Sequence, residues 1–153
     1  MRTLRRYVRL TPFEKWIVVQ CFAGLVVTRA GLRLLGFGVW KKLVAWLVPI
    51  VPAGSNLERA VSVSSAIARM QAAAERRLFF TPGCLEHALV LWWLLRRHGI
   101  PADIRLGGRK ELGRFEAHAW VELEGMPVGD RNGAQRDFVP FDGPGTLMES
   151  QTR

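Results

Sequence analysis

The chain has little with which to staple itself: two cysteines, Cys21 and Cys84, and three histidines among 153 residues. Cys21 falls in an apolar helical run and Cys84 follows Thr81-Pro82-Gly83, so a disulfide framework is excluded, and reduced thiols in a cytoplasmic setting follow. No CxxC or HExxH pair announces a zinc site. Internal repeats, low-complexity tracts and a glycine-rich phosphate loop are all missing; Gly107-Gly108 reads as a strand kink or bulge. The uncharged runs 16–28 and 43–57 fall short of the ~18 residues a spanning helix needs. Acidic residues are scarce, 13 against 22 Lys+Arg, which leaves a charge of +9 and a pI near 11.0. That balance favours acidic partners, but the basic residues are scattered and no zinc-finger, RNA-recognition or basic-zipper pattern exists, so nucleic acid is not expected. Arg2, Arg5, Arg6 and Arg9 before an apolar stretch imitate a signal peptide, yet Glu14 and Lys15 interrupt it and Arg29 stands where small residues should mark a cleavage site.

What is present is core material. The hydrophobic share is 49%, ample for one domain of this length, and the reading is an α+β chain with an apolar helical N-terminal region, 1–54, before a catalytic core, 55–153. Thr11-Pro12-Phe13-Glu14 starts a helix reaching Arg29 or Leu35. A second apolar segment covers Val39 to Val51. Ser55-Asn56-Leu57-Glu58 has the form of a capping box and opens a helix to about Arg77 whose stripe is Val63, Ile67, Met70, Ala74 and Leu78. Thr81-Pro82-Gly83 breaks the chain, and Cys84 begins a helix, apolar nearly all round, that ends at His98-Gly99. Strands are predicted over Ala102–Arg109 and Phe115–Leu123, with a turn at Glu124-Gly125 and a further short strand over Asp137–Phe141.

A cysteine at the first turn of a helix meets unpaired backbone donors and the positive end of the dipole, which favour thiolate and also suit the oxyanion formed when a carbonyl is attacked. Cys84 is therefore the candidate nucleophile. His98, at a helix C-terminus, is structural and expected to be exposed. His87, one turn beyond Cys84, is badly placed to be a base oriented by a third group and is assigned as a contact to substrate or to the catalytic set. His118 lies on the strand face opposite Phe115, Ala117, Ala119 and Val121, beside Glu116, Trp120 and Glu122, and is the candidate base. Thr81 and Trp120 are further candidates for substrate contact, and the Thr81 hydroxyl for the oxyanion.

Asp130 is the candidate that orients His118, and the hairpin loop bears on it. A three-residue loop centred on Glu124 pairs Asp130 with His118 on one face; a two-residue Glu124-Gly125 loop sends it to the other face unless a bulge intervenes.

Cys84-Leu85-Glu86 at a helix start, Arg96-Arg97-His98-Gly99-Ile100-Pro101-Ala102, Ala117-His118-Ala119-Trp120-Val121-Glu122 and Val128-Gly129-Asp130, in that order, resemble the transglutaminase-like leader peptidases of lasso-peptide biosynthesis, over roughly residues 57–141. The resemblance implies a papain/transglutaminase-like core, with the nucleophile at the N-terminus of a buried helix packed on an antiparallel sheet. It also implies a Cys84-His118-Asp130 triad that needs no cofactor and cuts one bond between leader and core of a precursor peptide. Expected partners are a separate small leader-recognition protein and an ATP-dependent macrolactam-forming ligase.

Two rival readings stand beside this one. Cys84, His87, His118 and Asp130 have the chemistry of zinc ligands for a hydrolase. The charge and the tryptophan-bearing apolar helices would equally suit a non-catalytic assembly adaptor or a protein peripheral to the inner membrane face.

Overall fold

A computed structural model describes residues 11–48, 57–111, 113–129 and 133–141. Helix α1 spans Pro12–Trp46, and its start is the expected capping box: Glu14 N–H donates to Thr11 Oγ1 at 3.2 Å and Thr11 N–H to Glu14 Oε2 at 2.9 Å. Gly36 interrupts it at φ +74°, so the two apolar segments expected from the sequence are two arms of one element. The arms close tightly: a Cβ on Gly31 would fall 2.3 Å from the Trp40 ring. Among the described residues α1 is the one helix long and apolar enough to cross a membrane by length and composition. Run lengths hid this because isolated Arg29 and Arg33 divide the apolar stretch.

Helix α2 (Leu57–Glu75) buries Ala60, Ile67, Met70 and Ala74, and stops two residues short of Arg77 in a turn closed by Arg77 N–H to Ala74 O. Ser55, half of the expected capping box, lies outside the described residues. Helix α3 (Cys84–Arg97) ends as its sequence dictates, with Gly99 at φ +75°. Seven of its side chains are buried, and at about 1.5–3 kcal/mol for each fully covered large apolar residue it is the element the fold can least spare. α1 and α2 pack on one side of it and the sheet on the other. Ile17, Cys21 and Leu25 of α1 join the same core as Leu89, Leu91 and Val121.

Strands β1 (Ala102–Glu111), β2 (Arg114–Leu123), β3 (Met126–Val128) and β4 (Val139–Pro140) form an antiparallel sheet in the order β3-β2-β1-β4. Ala119, Val121 and Leu123 face α3 and are buried, as the alternation predicts, whereas Phe115 is 68% exposed beyond the helix's reach. Residues 134–137 form a 3₁₀ turn ahead of β4, where the strand was expected to start at Asp137.

The β2–β3 loop is the two-residue one: Val121 pairs Val128 and Leu123 pairs Met126. Glu124 and Gly125 both take positive φ, 50° and 77°, the geometry that matches the right-handed twist of the flanking strands. Symmetric pairing about Glu124 is thereby overturned, and Gly129 at φ +73° ends the ladder before Asp130, which lies outside the described residues. Glu124 bears a left-handed conformation that asparagine tolerates better. Glu124→Asn should therefore raise the unfolding free energy by about 0.5–1 kcal/mol in chemical denaturation; an unchanged or lower value would contradict the turn assignment.

Candidate active site

Gly83, extended at φ −73° and ψ 164°, caps α3 without a side chain of its own. Glu86 Oε2 instead reaches back to accept Gly83 N–H at 2.9 Å. The first helical bond is His87 N–H to Gly83 O, 3.0 Å, so the amides of Cys84, Leu85 and Glu86 precede the intrahelical ladder and form the donor-rich end of the helix. Cys84 sits there as a half-buried free thiol. Its neighbour Glu86 would oppose a thiolate, but Arg29 of α1 lies 3.5 Å from Glu86 Oε1 and 4.3 Å over the Phe80 ring. The N-terminal helix thus offsets the negative charge beside the sulfur. The segment that precedes Cys84 in the chain lines a cleft of about 420 Å³, with Glu75, Leu78, Phe79, Phe80, Thr81 and Pro82 in its wall, and Thr81 is exposed there.

The other thiol is a different chemical object. Cys21 is 0% exposed, and burial, with the Glu75 charge adding to it, pushes its pKa up to about 12.

His118 stands opposite Gly107 of β1. A Cβ on Gly107 would meet the Trp120 ring at 2.8 Å, so the glycine makes the space Trp120 fills. His118 stacks on Trp120 with ring centroids 6.1 Å apart and meets Phe138 on another side at 5.0 Å. Trp120 is only 4% exposed; its Nε1–H donates to Glu122 Oε1 at 2.8 Å, and Glu122 Oε2 accepts from Arg105 Nε at 2.9 Å. Its surface is given to His118 and not to solvent. Phe138 lies under Arg109, 4.9 Å from its ring, and Arg109 pairs with Glu116 at 2.7 Å, Glu111 at 3.1 Å and Asp137 at 3.6 Å.

Cys84 opens α3, and His118 lies five residues before the end of β2. The turn at Ile100-Pro101 joins the end of α3 to Ala102, which pairs with Leu123. Back along the 14 residues of α3 lies Cys84, roughly 20 Å away; back along β2 lies His118, roughly 17 Å away. Gly129 gives a second fix. It follows the residue paired with Val121, and its Cβ would fall 2.7 Å from Leu91 Cδ2 and 3.7 Å from His87 Nε2, so the chain after β3 passes beside His87, one turn along α3 from Cys84. Cys84 and His118 belong to different layers: the register turns His118 away from α3. β3 covers only residues 121–123 of β2, and among the described residues the side of β2 at 114–120 away from β1 carries no strand.

His87 differs from expectation. Its Nδ1 is hydrogen-bonded to Glu75 Oε1 at the end of α2, and its backbone carbonyl accepts from the buried Gln71 Nε2 at 2.9 Å. It does have an orienting carboxylate, which helix periodicity could not show because the partner comes from another helix. His98 also differs: it is half-buried with its ring edge-on to Phe13 at 5.6 Å. Among the described residues no three His, Cys, Asp or Glu side chains converge as a metal would require, so Cys84, His87 and His118 do not come together as three zinc ligands; Asp130, the fourth of that set, lies outside the described residues.

Native alkylation with iodoacetamide at neutral pH should modify Cys84 alone, and both thiols only after denaturation, as read by peptide mass spectrometry. Arg29→Met should slow the Cys84 reaction by about two- to fivefold, the range for a part-exposed ion pair; equal labelling of Cys21 and Cys84 in the native state would contradict the assignment. His98 generates a pH prediction. Burial and the Arg97 charge hold its pKa below the ordinary histidine value, so the unfolded chain binds this proton more readily and stability falls as pH drops through that window. The melting midpoint of the wild type should fall more steeply than that of His98→Asn between about pH 7 and about pH 5.

Comparison with curated proteins and with solved structures gave no match. The transglutaminase-like superfamily matches residues 24–141, from within α1 through β4, and its members are typically cysteine peptidases or transferases. A free thiol opening a buried helix on an antiparallel sheet is the arrangement such chemistry uses, and the match covers well over half the chain: it belongs to the transglutaminase-like superfamily.

Proposed function

We propose that this protein is a cytoplasmic cysteine peptidase that removes the leader from a ribosomally made lasso-peptide precursor, with Cys84 as nucleophile, His118 as base and Asp130 as the group that orients the imidazole. The observation that carries the reading is the half-buried thiol at the open first turn of α3, with its carboxylate neighbour neutralised by Arg29, in a chain of this superfamily.

The Cys84 sulfur attacks the scissile carbonyl, and the negative oxygen that results is met by the first-turn amides, with the Thr81 hydroxyl at hand. His118, having taken the thiol proton, gives it to the departing amine as the C–N bond breaks and the thioester remains. Water, losing its proton to His118, then attacks the thioester and expels the sulfur. The two rings flanking His118 limit its rotation, so the base is held ready for both transfers. His87 and Glu75 tie the end of α2 and the first turns of α3 to the Gly129 segment that precedes Asp130. The cleft beside Thr81 suits the peptide near the cut. A separate leader-recognition protein delivers the precursor, and an ATP-dependent ligase closes the ring of the freed core.

Mass spectrometry of a cognate precursor incubated with this protein and the recognition protein should show leader and core with one water added across a single bond. Cys84→Ala and His118→Ala should each lower the rate by about a thousandfold or more, and Asp130→Asn severely but less. Cleavage retained by Cys84→Ala would end the proposal, and a product joined to an amine in place of water would make the enzyme a transferase.

A further inference from the structure

We infer that α1 is a lipid-binding element that lays this protein on an anionic membrane surface. The inference goes beyond the peptidase reading and does not depend on it.

Both arms of α1 leave an apolar stripe uncovered. On the first arm Trp16, Val27 and Leu34 are 58%, 54% and 82% exposed, and on the second Val39, Leu43 and Trp46 are 57%, 43% and 82% exposed. The spacing is helical, so each stripe is a continuous face. Uncovered apolar faces of this extent mark an interaction surface, and charge selects the occupant. Residues 1–46 hold nine Lys and Arg against one acidic residue, Glu14, a net +8 of the chain's +9; the remainder, with 13 basic and 12 acidic residues, is close to neutral. Exposed Arg33 and Lys42 flank the stripes. Basic residues beside an apolar face with tryptophans fit a helix lying in the plane of a membrane interface rich in acidic headgroups.

The same geometry argues against spanning. The opposite face of the first arm is core, with Ile17, Cys21 and Leu25 at 1%, 0% and 0% exposure. Arg29 is held by Glu86, and Gly36 folds the second arm back on the first. Threading α1 through a bilayer would strip α3 of its cover. A cavity of about 270 Å³ between the two arms and α3, with Val27, Trp40, Val44, Leu47 and Trp93 in its wall, is almost wholly apolar. Val27 and Leu47 belong to this wall and are exposed as well, so the cavity is continuous with the stripes and offers room for part of an acyl chain.

The test is co-sedimentation of the full chain with phosphatidylcholine vesicles, with and without phosphatidylglycerol, alongside tryptophan emission. The protein should bind the phosphatidylglycerol vesicles with a blue shift. Binding should weaken about tenfold on pure phosphatidylcholine, in high salt, or in Arg33→Glu/Lys42→Glu. Val27→Glu/Trp46→Glu should lower it at least about tenfold with an unchanged melting midpoint. A lack of binding to anionic vesicles would overturn the inference, as would binding that Val27→Glu/Trp46→Glu leaves intact. So would a lipid-free dimer that this variant turns into a monomer, since the stripes would then serve a second copy. Precursor cleavage by the variant in solution reports on the peptidase reading separately.

Discussion

The burial of α3 is the constraint from which the rest follows. A helix that is apolar on nearly every side has to be enclosed, and here α1 and α2 cover it on one flank and the sheet on the other. Apart from half-buried Trp93, it reaches water chiefly at its ends. Its first residue is Cys84, so the packing that removes the middle of the helix from solvent also leaves a sulfur at an open end beside unpaired amides. The cleft beside Thr81 exists because the chain must break sharply at Pro82-Gly83 to enter that enclosed helix.

Around this fixed point the surroundings adjust charge and orientation. Glu86 is useful as a cap for Gly83 and unwelcome as a charge near a thiolate, and Arg29 resolves the conflict from a helix 57 residues away in sequence. On the outer face of the sheet, ion pairs hold Trp120 and Phe138, and those two rings hold His118. On one face α1 supplies Arg29 to Glu86 beside the Cys84 thiol, and on its other face it carries an uncovered apolar stripe flanked by Arg33 and Lys42.

Local chemistry made much of the architecture legible. The Thr11-Pro12-Phe13-Glu14 cap, the Gly99 stop, the alternation of β2 and a cysteine at the start of α3 each depend on contacts within a few residues. The loop at Glu124-Gly125 was legible only as two alternatives. Both were sterically open to the sequence, and the choice came from the twist of the strands and from β3 pairing with the end of β2.

The sequence by itself determined which residues are apolar, where helices start and stop, and that a cysteine opens the most buried helix. Tertiary structure decided the pairing of His87 with Glu75, the folding-back of α1 at Gly36, the neutralisation of Glu86 by Arg29 and the clamping of His118 between Trp120 and Phe138. Periodicity reports which face of an element a residue occupies, and that is set within a turn or a few strand positions. Which other element arrives at that face depends on the packing of the whole core, for which no local pattern stands in.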